Sequence, residues 1–392
     1  MADPFANLPE ISFVNTDVQQ LQNAVVQAFQ DMWLADTGET LILTQADRRY
    51  SFLLSLVAYL VQERELIDAS ARQNLLPYAT GGFLDSLAAL YGPRANRLPP
   101  AAAQTTMQFT LSTLLNTEAL IPAGTQIAST DAGGLVFATN SDLTIPIGSG
   151  SGTVTASCLS TGTIGNGILP NVITNLLNWN SPFAVAATNL ETTAGGADIE
   201  TDEAYRRRIF LVTQSYSNAG SYGAYEFFAL SASSSIAEVT VSGPEDGLAP
   251  GNVLVTVLLQ NGELPNQAIL DLVYAAVNPD TIRDLCAQVT VQGPQQVPYS
   301  VWASYYIDLS QANRLVQIQS DILTAVQAWI DKNKMTLAGS INPSSLTVAM
   351  MNAGASYVMI SNPAHVVLTK QQVPALVNDP TIVYLGTEGD LP

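Results

Sequence analysis

The chain has 392 residues and a mass of 41.6 kDa, room for two to four domains with cores of their own. Apolar residues make up 47% and charged residues only 12%, against roughly 25% charged in an average soluble protein. Much of the surface is therefore uncharged Ser, Thr, Asn, Gln and Ala, which suits burial against other subunits. The formal net charge of -19, from 33 acidic and 14 basic residues, comes with no basic run interleaved with aromatics and argues against nucleic acid as a partner.

Met1 to Glu10 holds Asp3, two prolines and Glu10 but no basic residue or apolar run, so no secretory signal is expected there. From Asp17 to Trp33 the apolar positions Val18, Leu21, Val25, Ala28 and Met32 recur in steps of three and four. That spacing predicts an amphipathic helix whose stripe needs a partner, and this helix is the candidate partner-binding element. A second helical pattern runs from Gln45 to Asp68 and is apolar on more than one side around Phe52, Leu53, Leu56, Val57 and Leu60. Its longest apolar run, Phe52 to Val61, is about half the roughly 20 residues of a membrane span, so no membrane segment is expected. A third helix, Phe83 to Tyr91, stops at Gly92-Pro93, and residues 1–98 form an N-terminal helical region.

Beyond Leu98-Pro99-Pro100 the helical period gives way to short runs, Thr106 to Leu111, Gly134 to Ala138, Leu143 to Ile147 and Thr153 to Cys158. Turn signals at Pro122-Ala123-Gly124, Asp131-Ala132-Gly133-Gly134, Gly148 to Gly152 and Gly162 to Gly167 separate them, as in a small β-sandwich or barrel over residues 99–194. None of these turns carries the Gly-Lys-Ser/Thr of a phosphate loop. A central α+β domain follows over residues 195–296, with helices at Thr201 to Val212, Tyr222 to Leu230 and Asn266 to Val277. Its strands are expected at Ile236 to Val241, Asn252 to Leu259 and Gln288 to Val291. Residues 297–392 read as a C-terminal α+β domain: a strand at Tyr299 to Leu309, then a helix at Ser310 to Asp331 striped by Leu315, Ile318, Ile322, Val326 and Trp329. Asn342 to Met351 reads as another helix, with strands at Tyr357 to Ile360 and Thr381 to Leu385. The fold class is α+β, multidomain.

The junction Gly195-Gly196-Ala197-Asp198-Ile199-Glu200-Thr201-Asp202-Glu203 with Arg206, Arg207, Arg208 and Ile209 packs a chain reversal, four carboxylates and three arginines together. Thr201 suits an N-cap, and Asp202 and Glu203 suit the first helical turn, where the macrodipole is positive. Asp202 with Arg206 and Glu203 with Arg207 stand four apart, acid before base. Asp198, Glu200 and Asp202 alternate as in a calcium loop, but the sixth position is Glu203 instead of Gly and the twelfth is Ile209 instead of Glu, which excludes an EF-hand. The motif is expected to be a structural clasp.

Chemistry finds little purchase. His365 is the one histidine, beside a predicted strand, and no nucleophile elbow or HExxH helix accompanies it. Cys158 and Cys286 are far apart with no CxxC, so neither a disulfide framework nor zinc is indicated, and synthesis in a reducing cytoplasm is expected. With 33 acids some carboxylate pair will lie close by chance, and the β-rich segment has few aromatics to stack sugars. Tyr216, Tyr222, Tyr225, Phe227 and Phe228 are read as core and interface packing. No catalytic, cofactor-binding or metal site is assigned.

In order along the chain these landmarks resemble the baseplate J-like family, the wedge components of contractile phage tail baseplates. Gly82-Phe83-Leu84-Asp85-Ser86-Leu87 and Tyr91-Gly92-Pro93-Arg94 are similar to the family's leading segment. Ile121-Pro122-Ala123-Gly124-Thr125, Gly134 to Ala138 and Gly165-Asn166-Gly167 are similar to its β-rich insertion. Gly195 to Glu203 with Arg206 to Ile209 is its strongest signature and Pro250-Gly251-Asn252-Val253 the next, while Asn278 to Gly293 departs from the family's proline-led strand. The resemblance covers about residues 77 to 387. It implies a structural, non-enzymatic virion protein without cofactor, paired as a homodimer within each wedge. It also implies a smaller wedge protein joined through an N-terminal helical bundle, and C-terminal contacts with neighbouring wedges around the hub beneath the sheath. The ring would rearrange on host contact and trigger contraction. A phage-derived contractile injection system and a tail adhesin binding cell-surface glycan are the alternatives.

Overall fold

A computed structural model describes residues 5, 7–130, 133–177, 179–217, 220–279, 283 and 286–387. It divides into two units, one up to Asn96 and one from Arg97 onward, each taken by itself below. The predicted turn residues Asp131 and Ala132, and Met1 to Pro4 with Ala6 of the N-terminal segment, lie outside the described residues.

In the first unit Asp17 caps helix α1 (Val18–Thr37) by accepting from Gln19 N at 2.9 Å and Gln20 N at 3.0 Å. Gly38, with φ 75°, ends it in a left-handed turn whose N–H donates to Leu34 O. Helix α2 (Arg48–Arg72) starts from Asp47 in the same way, and α3 (Gly81–Ala88) runs into a 3-10 turn that Gly92-Pro93 stops. Gln22 donates to the Tyr50 hydroxyl at 2.5 Å and the Arg49 guanidinium lies over Trp33, tying α1 to α2. Asp68 receives Phe13 N at 2.6 Å and Ser12 Oγ at 3.2 Å and pairs with Arg72 at 2.7 Å, which straps the leading segment to α2.

The second unit begins with the β-rich segment. Strands β1 (Ala102–Leu111), β2 (Ala119–Ile121), β3 (Gln126–Ser129), β4 (Val136–Thr139), β5 (Leu143–Ile145), β6 (Ser151–Thr161), β7 (Ile173–Leu177) and β8 (Val185–Asn189) make up this part. Six of them form one curled antiparallel sheet in the order β7-β3-β4-β6-β1-β8, and β2 pairs with β5 beside it. Alternate residues point inward, so Met107, Phe109, Ile127, Phe137, Ala156, Ile173 and Ala187 fill the interior. The last gap, between β8 and β7, is bridged by the fully buried Asn189. Its Oδ1 accepts from Val172 N and Ile173 N, both at 3.0 Å, and its Nδ2 donates to Leu169 O and Glu191 O, both at 2.9 Å. All four hydrogen-bonding positions of one amide are thus used, and the sheet is nearly a closed barrel. Strands β2, β3, β7 and β8 lie outside the predicted runs.

The central part holds α4 (Asp202–Leu211), α5 (Tyr222–Leu230) and α6 (Gln267–Val277), together with strands β9 (Ile236–Ser242), β10 (Asn252–Leu259) and β11 (Gln288–Gln292). β10 pairs antiparallel with β9 and parallel with β11, and α6 is the crossover between the parallel pair. The remainder consists of β12 (Gln295–Tyr299), β13 (Trp302–Ile307), α7 (Leu315–Lys334), β14 (Ser340–Ile341), α8 (Pro343–Asn352), β15 (Tyr357–Asn362), β16 (Val366–Val367), β17 (Gln372–Leu376) and β18 (Thr381–Thr387). Ile318, Ile322, Val326 and Trp329 of α7, with Leu346 and Met350 of α8, pack on one face of the sheet β15-β13-β18. The strand predicted at Tyr299 to Leu309 is β13, shorter at both ends: Tyr299 closes the preceding β12, which pairs with β17, β13 pairs with β15 and β18, and Leu309–Arg314 is 3-10 helix. The described residues thus form an α+β chain of several layers, with eight α-helices and 18 strands.

Candidate functional site

The glycine-acid-arginine junction lies where the barrel meets the central layer. Ala101 and Ala197 exchange two backbone hydrogen bonds of 2.8 and 3.1 Å, and Gln104 and Ala194 exchange another two at the same lengths. Between these rungs Gly195 adopts φ 88°, a left-handed conformation that disfavours a side chain, and a Cβ there would run into Ile269 of α6. A Cβ on Gly196 would strike the carbonyl of Gly162 and the amide of Asn166, whose Oδ1 accepts from Gly196 N at 2.8 Å and whose Nδ2 donates to Gly196 O at 2.9 Å. The two glycines therefore serve different ends, one a backbone angle with a helix at its back and the other a close approach of three segments. Asn266 completes the seat, because its Oδ1 caps α6 at Ile269 N while its Nδ2 donates to Gln104 O of β1 at 2.7 Å.

The carboxylates of the motif diverge. Glu200 is buried and receives a two-pronged contact from buried Arg208, Nε to Oε1 at 2.8 Å and Nη2 to Oε2 at 2.7 Å. Its Oε2 also accepts from Leu98 N at 2.9 Å, and Glu200 N donates back to Leu98 O. Arg97 donates to Glu200 O at 2.8 Å and to Asp202 Oδ1 at 2.7 Å, and its guanidinium stands 4.5 Å from the Tyr205 ring, with that of Arg208 at 5.3 Å. Thr201 caps α4 by accepting from Ala204 N. Asp198, Ile199 and Glu203 are exposed and Arg206 is half-buried. Among the described residues no three His, Cys, Asp or Glu side chains are gathered as a metal ion requires.

Arg207, expected beside Glu203, instead donates to Glu226 of α5 at 3.2 Å and stands 4.0 Å from Glu238 of β9. Burial pushes the Glu226 carboxyl above its ordinary range, against the opposing pull of Arg207. Glu238 accepts from Leu337 N at 2.7 Å, which carries the network into the C-terminal layer. A second tie runs from Lys370 to Asp246 at 2.8 Å, with Lys370 also over the ring of Tyr222. The neighbouring Glu245 carboxylate holds that phenol up to about 12. Of the predicted aromatic cluster, Tyr225 and Phe227 are buried and Tyr216 and Tyr222 exposed. His365 is exposed.

On α1 the predicted stripe splits: Leu21 is buried and Val25 half-buried, while Val18, Ala28 and Met32 are exposed. The inward face runs through Leu21, Val25, Phe29 and Trp33 in steps of four, so it is rotated from the predicted one. Sequence reasoning missed Arg97, Leu98, Asn166, Asn266, Ile269 and Asn189. All act across long separations, and only the Asn266 cap had a local signal.

Comparison with known proteins gives matches along the same stretches. Residues 106–196 match the Baseplate J-like protein barrel domain and residues 217–293 the Baseplate J-like central domain. The chain is similar to baseplate protein J of Escherichia phage P2, at 29% identity over 178 residues, 45% of this chain. The match spans 57% of that relative's length. A cryo-EM structure of the anti-feeding prophage (AFP) baseplate, 6-fold symmetrised, aligns over 91% of this chain and 90% of its own, with 13% identity and a TM-score of 0.35.

Proposed function

The chain belongs to the baseplate J-like family, and from that premise we propose that it is a structural, non-enzymatic component of a contractile phage tail baseplate in the virion. In this reading it is a wedge subunit that pairs with a second copy, joins a smaller wedge protein through its N-terminal helices and passes the contraction trigger around the hub. Residues 1–98, 99–194, 195–296 and 297–392 would act as helical arm, barrel, body and outer link.

The observation that carries this reading is the first unit. Helices of 20 and 25 residues bury only Leu21, Leu53, Val57 and Asp68, and leave Val18, Met32, Phe52, Leu56, Leu60, Leu66 and Ile67 exposed. Helices that long with so little covered face are suited to assembly with other helices, since stability in proteins comes mainly from packing an apolar face. None of the described helices is long and apolar enough to cross a membrane, so that face is not accounted for by a membrane span. Val18→Asp with Met32→Asp, both on exposed positions of α1, should abolish co-purification with the neighbouring tail proteins while leaving the barrel's fold intact. Unchanged co-assembly of that variant would refute the bundle.

A further inference from the structure

The central sheet β9-β10-β11 is covered on both faces, and the two covers differ in kind. Register puts Val239 beside Val257 and Val241 beside Val255 on one face, where α5 and α6 lie, and all four side chains are buried. The opposite face carries Glu238 beside Leu258, Thr240 beside Thr256 and Ser242 beside Leu254. C-terminal residues close over it: Leu337 N donates to Glu238 Oε2 at 2.7 Å, Thr240 Oγ1 donates to Lys370 O, and Leu258 packs with Leu337 and Val373. Among the described residues that apolar cluster has three buried members, against fifteen in the core that α7 and α8 share with their own sheet. Thr256 and Ser242 are buried, yet neither hydroxyl finds a hydrogen-bond partner among the described protein groups. Burying a hydroxyl in that way weakens the contact that buries it. The chain itself crosses from the central layer to the C-terminal one once, at Gly293-Pro294 between β11 and β12.

We infer that the C-terminal layer is a swing element: it parts from the central sheet along this polar face as a unit, turning about Gly293-Pro294, while each layer keeps its own core. Contacts between parts of one chain move against each other unless they are large and apolar. The ties across this face are chiefly polar, since besides those above Lys370 Nζ reaches Val241 O at 3.4 Å and Asp246 at 2.8 Å from a side chain that is itself 43% exposed. A lysine so placed can exchange these partners for water. One covalent crossing leaves the strand pairing of both layers undisturbed when the face opens. In a particle that rearranges, the C-terminal layer could turn against the central one without either unfolding, a use that rests on the functional reading above.

Thiol labelling on the two faces of β10 tests the joint, in the full chain carrying Cys286→Ser to remove the exposed native thiol and read peptide by peptide in a mass spectrometer. Thr256 and Val255 are neighbours on that strand, both 0% exposed and on opposite faces. Unfolding of the sheet would bare both alike, whereas parting of the joint bares position 256 alone. Under native conditions Thr256→Cys should react ~100-fold faster than Val255→Cys. Leu337→Ala removes part of the apolar cluster at the joint and should speed the reaction at position 256 by ~30-fold, leaving position 255 within about threefold. Hydrogen exchange reads the joint without substitution: the Leu337 amide, which donates across it, should exchange ~100-fold faster than the slowest amides of β10. Equal labelling at positions 255 and 256, no gain at position 256 with Leu337→Ala, or a Leu337 amide as protected as the slowest of β10 overturns the inference. The functional reading fails on a different result, a tagged wild-type chain absent from purified tail particles, which the labelling rates do not touch.

Discussion

Asn189 offers the sharpest test of how the barrel holds its shape. Replacing it with Ala removes two accepted and two donated hydrogen bonds at a fully buried site. Glu191 O keeps a partner in Thr105 Oγ1 at 3.1 Å, so Val172 N, Ile173 N and Leu169 O are the groups that lose most. At about 1 kcal/mol for each lost bond, of which the one to Ile173 N is wholly buried and those to Val172 N and Leu169 O partly so, the loss is ~3–4 kcal/mol. In a chain of several layers global melting is not two-state, so the readout is hydrogen exchange of β1 and β8. Protection there should fall by ~100–1,000-fold, at 1.4 kcal/mol per decade. Thr188→Ala, on the exposed side of β8, should stay within ~0.5 kcal/mol. Asn189→Asp keeps the acceptor contacts but turns a carboxylate toward two carbonyls, so it should be worse than Ala at neutral pH and recover in acid. A change of less than about tenfold in Asn189→Ala would refute the closure argument.

Three further outcomes follow from the junction and its neighbours. Gly195→Val combines a left-handed backbone with collision against Ile269, and should lower stability by ~2–4 kcal/mol and expose the barrel's attachment to limited proteolysis. Arg208→Met leaves Glu200 buried without its cation and should destabilise by ~3–5 kcal/mol, whereas the double variant with Glu200→Gln should recover part of that, as read in a double-mutant cycle. Glu226 has its folded pKa raised, so its contribution to stability is full below the ordinary carboxylate value of 4.5 and is lost as pH rises through the folded value. Glu226→Gln should therefore flatten the decline in denaturation midpoint as pH rises from about 4 to 7, and an unchanged slope would show that Arg207 already compensates the charge.

Elements with local signals were legible in the sequence. Periodicity and caps place α5 at Tyr222–Leu230 and β10 at Asn252–Leu259 as predicted, and put α6 after its Asn266 cap. Short barrel strands such as β2 and β7 were not legible, because three to five residues with mixed apolar and polar character carry no period, and their place is set by pairing with distant strands. The junction was legible as a place and only partly as a mechanism. Two adjacent glycines announce a turn, but their cause lies in Ile269 and Gly162. Arg207 has a local acid available in Glu203 and pairs instead with Glu226, since helix-surface pairs are weak and a buried carboxylate gains more from a cation. The stripe of α1 was displaced for a similar reason: a three-four spacing fits several faces of one helix, and the neighbour selects among them.

The paired rungs Ala101 with Ala197 and Gln104 with Ala194 have a topological consequence. The chain leaves for the barrel and returns from it side by side, so about ninety residues hang from two antiparallel rungs as a hairpin hangs from its first pair. Loops above those rungs can be grown, trimmed or exchanged without altering the connectivity of the rest of the second unit, except at Gly162 to Asn166, which seats Gly196. Barrel and body can thus be altered one at a time, with Gly195, Gly196 and Asn166 as the socket between them.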